Sequence, residues 1–384
     1  MLPISSKLFE RLFLKRLQPV IETLNLIPEH QFGFRRQHST VEQMHRLAHY
    51  IRQCLEEKQF CSSVFLDVRQ AFDKVWHIGL LYKIKKLLPH SFYNLIQSYL
   101  TDRKFKIAFQ GEQTDQFNIE SGVPQGSVLG PMLYVLYTSD IPKDPNTMME
   151  TFADDTAILS KNVDCVVATE NLQNGLNNIQ SWLNKWRIQV NETKSTHVVF
   201  TLKNENSPRV TLNNILLPQS ESVKYLGMHL DKRLTWKNHI WNKRLQLDLK
   251  RRKLSWLINK HSKLSLKNKV NIYKVILKPV WSYGIELWGT ASVSNIEIIQ
   301  RFQSKCLRQI VNAPWYVSNK TLHSDLKMPY VNEEISKHSK KYQRRLENHA
   351  NNLALNLLDN SNDTYRLKRA NILDLPFRFA PNDN

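Results

Sequence analysis

The 384-residue sequence predicts an α+β fold that gives way, near residues 231–240, to a basic helical domain. Two strand signals and one change of periodicity carry that expectation. In Ser63-Val64-Phe65-Leu66-Asp67-Val68, Val64, Leu66 and Val68 alternate with Phe65 and Asp67, the period of two that a two-faced strand requires. Thr151–Leu159 places apolar and β-branched residues on both sides of Asp154-Asp155, the pattern of a short hairpin with two carboxylates at its tip. After Asp231 the periodicity turns almost purely helical, as in Val270, Tyr273, Leu277, Val280 and in Ile296, Ile299, Phe302, Cys306, Ile310.

The length exceeds one typical domain and predicts two or three subdomains with ample core. With 41% hydrophobic residues, 10 Gly and 15 Pro, the composition is that of a folded globular protein and excludes a disordered or collagen-like chain. A net charge of +20 favours a polyanionic partner, nucleic acid before an anionic membrane surface. The charge is concentrated, because Lys232–Val280 holds fifteen Lys and Arg against the single acid Asp248. Within it, Lys250-Arg251-Arg252-Lys253 reads as a nucleic-acid backbone contact or a nuclear-import patch. Cys54, Cys61, Cys165 and Cys306 have neither zinc-ligand nor Cys-x-x-Cys spacing, so reduced thiols of an intracellular protein, in nucleus or cytoplasm, are expected. No apolar run reaches membrane-span length and no signal peptide is visible, so no membrane partner is expected.

In chain order, residues 1–30 read as helix, with Leu8, Phe9, Leu12, Phe13, Leu17 and Val20 on one face and Pro28 ending the run. Gln31–Thr40 breaks the period. Thr40 with Gln43 then resembles a capping box for a helix through Glu57, with Val41, Met44, Ala48, Ile51 and Leu55 as its apolar face. Arg35 and Arg36, just ahead of that helix, are either solvated or contacts for template or triphosphate. Residues 79–100 read as helix, Lys104–Phe109 with Phe117–Ile119 as a hairpin, and Pro131–Ser139 as helix. The preceding stretch Ser121–Pro131 holds three of the ten glycines, a loop of accessible N–H groups feeding a helix start, suited to anions or a nucleobase. Leu172, Leu176, Ile179, Leu183 and Trp186 mark a long amphipathic helix, and Asn213-Asn214 a hairpin turn. Val223–Leu230 reads as one further strand whose Gly227 suggests close backbone approach. The tail 361–384, with Pro376 and Pro381, reads as loosely ordered.

The chemistry concentrates on three aspartates. Asp154-Asp155 alone is ordinary turn chemistry. Asp67, however, lies in an apolar strand where an uncompensated carboxylate is costly. If that strand lies beside the 151–159 hairpin, three hard oxygen donors converge, which suits Mg²⁺. Two such ions would activate an attacking hydroxyl and stabilise a leaving pyrophosphate, so metal-assisted phosphoryl transfer is expected. Phe72, five residues beyond Asp67, is either core or the floor of a nucleotide pocket.

These blocks together resemble the reverse transcriptases of non-LTR retrotransposons, most closely jockey-like insect elements. Phe65-Leu66-Asp67 with Ala71–His77, Ser121–Pro131, and Phe152-Ala153-Asp154-Asp155 are the three central ones. Trp186 through Lys194, and Val223–Gly227 with Leu234-Thr235-Trp236, look like later palm blocks, and Gln31–Thr40 like a fingers block. Lys278-Pro279, Tyr283-Gly284, Leu287-Trp288-Gly289 and Leu307-Arg308 have a thumb-like look. The resemblance implies a right-hand polymerase: partial fingers over 1–60, a palm with an antiparallel sheet and packed helices over 61–231, and a helical thumb-like domain over 232–360. Family members carry an endonuclease domain and further fingers residues ahead of Met1, so the chain looks truncated at its N-terminus.

The resemblance also implies residue roles. Asp67, Asp154 and Asp155 would hold two Mg²⁺, with Mn²⁺ as a substitute ion and the Val68 carbonyl assisting. Phe72 would be the steric gate for deoxynucleotides, with Arg35, Gln125 and Gly126 at the nucleotide and template. Lys194 would protonate or neutralise pyrophosphate, and Tyr225, Leu226 and Gly227 would grip the primer. Lys250, Arg251, Arg252 and Lys253 would follow the duplex backbone. The implied activity extends a DNA primer on an RNA template with dNTPs. The alternative is a catalytically silent, truncated copy acting at most as a nucleic-acid-binding protein. The oligomeric state is left open.

Overall fold

The structure is a computed structural model describing residues 3–124, 126–359 and 366–379. The chain divides into two compact units, one of residues up to Gln43, Gln59–Val199 and Lys203–Ser220, the other of Met44–Lys58, Phe200–Leu202 and the chain from Glu221 on.

The first unit is α+β. Its helices are α1 (Ile4–Thr23), the start of α2 (Thr40–Glu56), α3 (His77–Leu87), α4 (His90–Leu100), α5 (Gly130–Tyr137) and α6 (Cys165–Lys185). Its main strands are β1 (Phe60–Leu66), β2 (Met148–Phe152), β3 (Asp155–Asn162) and β4 (Thr196–Phe200), in sheet order β2-β3-β1-β4. β3 runs antiparallel to both neighbours, with Leu66 opposite Thr156 and Phe152 opposite Asp155. Every residue of β1 is buried, so both of its faces are covered. Leu17, Val64, Leu80, Leu133, Ile158 and Leu176, none with any exposed surface, join the helices and sheet in one core. Burying each such side chain contributes about 1.5–3 kcal/mol.

Several elements differ from the sequence reading. α1 ends at Thr23, ahead of Pro28, because Asn25 takes a left-handed φ of 48°. Its buried face is Glu10, Phe13, Leu17 and Ile21, while Leu8, Phe9 and Leu12 point outward. The capping box is one residue earlier than expected: the Ser39 N–H donates to Glu42 Oε2 at 2.7 Å, and the Glu42 N–H to Ser39 Oγ at 3.4 Å. The helix expected over 79–100 is two helices. Leu88, forced into extended backbone by Pro89, separates α3 from α4. The turn at Asn213-Asn214 is as expected, with φ of 53° and 60°.

In the second unit, the single strand expected over Val223–Leu230 is a tight hairpin of β5 (Ser222–Tyr225) and β6 (Met228–Asp231). Leu226 and Gly227 carry φ of 44° and 76°, so the glycine serves the turn. Helices follow, chiefly α7 (Lys237–Lys253), α8 (Val293–Val311) and α9 (Val331–Glu347). All four cysteines are buried and free. Residues 361–365 and 380–384 of the expected loose tail lie outside the described residues. Within 366–379, Leu375 is fully buried, and Arg366 donates to the Leu55 and Glu56 carbonyls at 2.7 and 2.9 Å.

Buried Glu334 on α9 makes a charged network. Lys278 Nζ lies 2.5 Å from it and His338 Nε2 3.5 Å, while His338 Nδ1 is 3.6 Å from Glu286. Burial alone would raise the Glu334 carboxyl, but its bonds to His338 and Lys278 hold it down to about 2. Bonds to Glu286 and Glu334 push the His338 imidazole up to about 9. A raised histidine stabilises the fold below its unfolded pKa and loses that effect as pH climbs through the folded one. The melting temperature is therefore expected to fall between pH 6.5 and about 9.5 in thermal scans, and His338→Gln to flatten that decline.

Candidate active site

The carboxylates are brought together by strand register. Leu66 pairs with Thr156, so the next step along β1 places Asp67 level with Asp155 at the start of β3. Phe152 pairs with Asp155, leaving Ala153 and Asp154 as the two-residue turn. Ala153 carries φ 58°, a left-handed backbone that disfavours a non-glycine residue by about 1–2 kcal/mol. One side chain compensates. Gln31 Oε1 accepts the Ala153 N–H at 2.8 Å, and Gln31 Nε2 donates to the Ala153 carbonyl at 3.3 Å. Around this clamp, the Phe32 N–H donates to the Thr151 carbonyl at 3.0 Å and the Gln43 amide to the same carbonyl at 3.3 Å. A Cβ on Gly33 would meet Ala153 N at 2.2 Å, so only glycine permits the approach.

The electrostatics follow from this crowding. Loss of water pushes the Asp154 carboxyl up, its own backbone N–H pulls it down, and Asp67 pushes it up again. Asp155 rises to about 6, first through loss of water, then through Asp154 and Asp67. Asp155 keeps an exposed face, and solvent there screens part of the repulsion. Among the described residues, no three His, Cys, Asp or Glu side chains close on one point tightly enough to hold an ion unaided. The donors present are hard, mutually repelling oxygens, which fit a divalent cation whose shell is completed by carbonyl, water or phosphate oxygens.

Val68 bridges to Val190 just beyond the end of β1. The Asn191 N–H donates to the Asp67 carbonyl at 2.7 Å and the Arg69 N–H to the Gln189 carbonyl at 2.8 Å. Successive carbonyls alternate sides along an extended chain, so that of Val68 is directed away from 189–191, toward the β3 side. The same contacts fasten the turn that carries Lys194: the Asp67 N–H donates to Ser195 Oγ at 3.1 Å, and Lys194 itself is exposed.

Phe72 is half-buried. Its ring centroid lies 4.8 Å from that of Tyr134 and 6.0 Å from that of Phe34. The Tyr134 hydroxyl is pushed up by burial and then by Asp154, with Tyr137 and Asp155 adding smaller pushes. The 121–130 loop is bonded to the Phe72 segment, with the Val123 N–H donating to the Phe72 carbonyl and the Gly122 N–H to the Val75 carbonyl, both at 2.8 Å. Gly126 is exposed with φ 78° and open space where a Cβ would be; Gln125 lies outside the described residues.

The α5 start is not the open anion site that the loop composition suggested. Glu10, fully buried on α1, accepts the Val128 and Leu129 N–H groups at 2.5 and 3.2 Å, and so fills it. Arg35 Nη1 lies 3.3 Å from both the Pro28 and the Gln31 carbonyls, tied into its own loop. Tyr225, Leu226, Gly227 and the 250–253 run belong to the second unit. There the Leu226 carbonyl accepts the Tyr283 hydroxyl at 2.7 Å. Lys250, Arg252 and Lys253 are exposed, whereas Arg251 donates to Gln309 at 2.8 Å. Gln31 and Glu10 were missed by sequence reasoning. A buried acid at position 10 carries no periodic signal, and Gln31 sits in a stretch read as a break in period and, by resemblance, as a fingers block, neither of which assigns its side chain a role.

Two outcomes follow from this geometry. A carboxyl raised in the fold costs stability once ionised, a cost absent near pH 4 and complete above about 6. In metal-free buffer, Asp155→Asn is expected to melt higher than wild type at pH 7.5 and equally at pH 4. Gly33→Ala, forced against Ala153, is expected to lose about 1–3 kcal/mol in denaturant unfolding, the usual range for overpacking.

The comparisons with known proteins bear on the same residues. The family model for reverse transcriptase (RNA-dependent DNA polymerase) matches residues 1–230, which include every one of these carboxylates. The chain is 44% identical over 380 residues to a probable RNA-directed DNA polymerase from transposon X-element of Drosophila melanogaster, covering 98% of this chain and 42% of that protein. It is 41% identical over 365 residues to the RNA-directed DNA polymerase from mobile element jockey of Drosophila funebris, covering 93% and 40%. The chain thus spans about two fifths of the length of these relatives. Among solved structures, apo telomerase from Candida tropicalis is similar at 12% identity and a TM-score of 0.45, over 91% of this chain and 61% of that one. Over residues 1–230, with Asp67 and Asp154-Asp155 at the joined ends of β1 and β3, the chain belongs to the reverse transcriptase family.

Proposed function

We propose that this chain is an RNA-directed DNA polymerase of a jockey-like, non-LTR mobile element, adding dNTPs to a DNA primer on an RNA template. The observation that carries the reading is the register that levels Asp67 with Asp155 and leaves Asp154 in the turn. Mg²⁺, with Mn²⁺ as a substitute, would be held by Asp67, Asp154, Asp155 and the Val68 carbonyl, and when bound supplies charge neutralisation at the attacking and leaving oxygens. The chain's own part is to hold those carboxylates close against their mutual repulsion, to shape the sugar pocket with the Phe72 ring, and to present Gly126 backbone to the incoming nucleotide. Lys194, exposed on the turn fastened to Asp67, would neutralise or protonate departing pyrophosphate.

The exposed cations Lys250, Arg252 and Lys253 are suited to phosphate contacts that carry no sequence preference. Among the described residues no helix is long and apolar enough to cross a membrane. The reading places the protein's work in the nucleus or cytoplasm, where template and primer meet.

Primer extension by the purified chain on an RNA template with dNTPs and Mg²⁺ tests the activity. Asp154→Asn is expected to abolish extension while the protein stays folded; extension at wild-type rate ends the assignment. A folded wild type that binds RNA–DNA duplex but never extends would instead leave the silent, nucleic-acid-binding reading. Phe72→Val is expected to lower the preference for dNTP over rNTP, by removing a steric clash with the ribose 2′-hydroxyl. It also removes the contact with Tyr134, at a cost of about 1–3 kcal/mol. Lost stability with unchanged sugar selectivity would make Phe72 a core residue only.

A further inference from the structure

We propose that a cavity within the second unit binds the phosphate group of a nucleotide, at a site separate from the carboxylates of the first. The cavity has a volume of about 460 Å³, a size that accommodates a nucleotide. Arg52, Lys237, Lys368, Arg369 and Arg378 line it, and among the described residues no Asp or Glu does. Five cations around one concavity without an acid form an electropositive site whose walls focus its field.

The guanidinium groups are aimed by backbone carbonyls. Arg52 donates to the Arg369 and Ala370 carbonyls, both at 3.4 Å, and Arg369 to the Arg233 carbonyl at 2.7 Å. Arg378 donates to the Gly289 and Ala291 carbonyls at 2.8 and 3.1 Å. A carbonyl orients such a group without cancelling its charge. Arg369 and Arg378 make no ion pair among the described residues. The acids that reach Arg369 electrostatically, Glu56 and Asp231, are engaged elsewhere. Glu56 accepts the Leu367 N–H at 2.8 Å, and Asp231 the Thr235 and Trp236 N–H groups at 3.0 Å.

Burial pushes the Arg378 guanidinium down from its ordinary value, and Arg369 likewise, although Glu56 and Asp231 pull Arg369 back. Arg378 in particular has lost water with no acid acting on it, and such a charge is stabilised by a bound anion. The rest of the wall mixes apolar Ala48, Leu234, Ala291 and Ile372 with polar His45, His49, Thr290 and Asn295, which suits the base and sugar hydroxyls of a nucleotide better than free phosphate. The rival account is that the arginines only staple residues 366–379 to the rest of the unit.

Calorimetric titration of the full chain in buffer free of divalent cations separates the two. AMP is expected to bind with saturation and adenosine not to bind. Lys237→Glu combined with Lys368→Glu, two exposed positions that staple nothing, is expected to weaken AMP by about tenfold or more, the loss typical of charge-assisted contacts. Asp154→Asn is expected to leave AMP affinity unchanged. An oligodeoxynucleotide bound more tightly with a 5′-phosphate than with a 5′-hydroxyl would assign the phosphate to strand ends; equal binding would assign it to free nucleotide. No AMP binding by wild type overturns the proposal. So does an unchanged affinity in a double variant with wild-type melting temperature, or loss of AMP binding in Asp154→Asn.

Discussion

Everything in the first unit answers to one constraint: three carboxylates that repel one another must be held at the end of a sheet. Desolvation and mutual charge push Asp154 and Asp155 upward, so the fold is working against itself at that edge. A hairpin under such repulsion relaxes unless its backbone is determined from outside. Gln31 does this by bonding both polar groups of Ala153, the residue with the unfavourable φ. Gly33 does it by leaving no space into which the turn could shift. The clamp comes from the segment between α1 and α2, far off in sequence, so the site exists only once the unit has folded.

The same logic extends outward from the carboxylates. Asp67 is fixed through its amide and its carbonyl by Ser195 and Asn191, the turn that also presents Lys194. Phe72 is fixed through its carbonyl by Val123, which ties its backbone to the glycine-rich loop. Glu10 pins the far end of that loop at Val128 and Leu129. Asp67 and Phe72 are thereby each held by a main-chain bond to another block of the unit, and their side-chain placement follows from that backbone placement.

That hierarchy explains what was legible in the sequence. The strand expected over 63–68, the acidic hairpin and the glycine-rich loop announce themselves locally, through period, turn chemistry and composition, although the strand is Phe60–Leu66 and Asp67 stands exposed just past its end. The pairing of Asp67 with the hairpin was legible only as a condition, since register is a long-range property. The hairpin at Ser222–Asp231 was hidden because Leu226, an unusual residue for a left-handed turn, masked it as continuous strand. The one-residue shift from Thr40 to Ser39 in the capping box shows the limit of a motif with several hydroxyls in a row. Gln31 and Glu10 were illegible for a deeper reason. Their roles are satisfied by partners more than a hundred residues away, and nothing in their neighbourhood differs from an exposed polar residue.

The second unit shows why net charge overstates the surface available to a polyanion. Arg244 is paired with Asp248 at 2.7 Å, Arg251 is turned onto Gln309, and Arg366, Arg369 and Arg378 each hold backbone carbonyls. These guanidinium groups act as rigid, multi-donor fasteners, a task for which their planar fork suits them better than a lysine ammonium. Lys250 and Lys253, with Arg252, stand exposed on the last turn of α7 instead, where the helix carbonyls also favour positive charge. Counting all these cations alike in the sequence merges two populations. One stabilises the unit through hydrogen bonds that depend little on salt, and the other faces solvent, where attraction to phosphate is screened within about 10 Å at 0.1 M salt. The exposed population, together with the cations around the cavity, is what the unit can offer an anion.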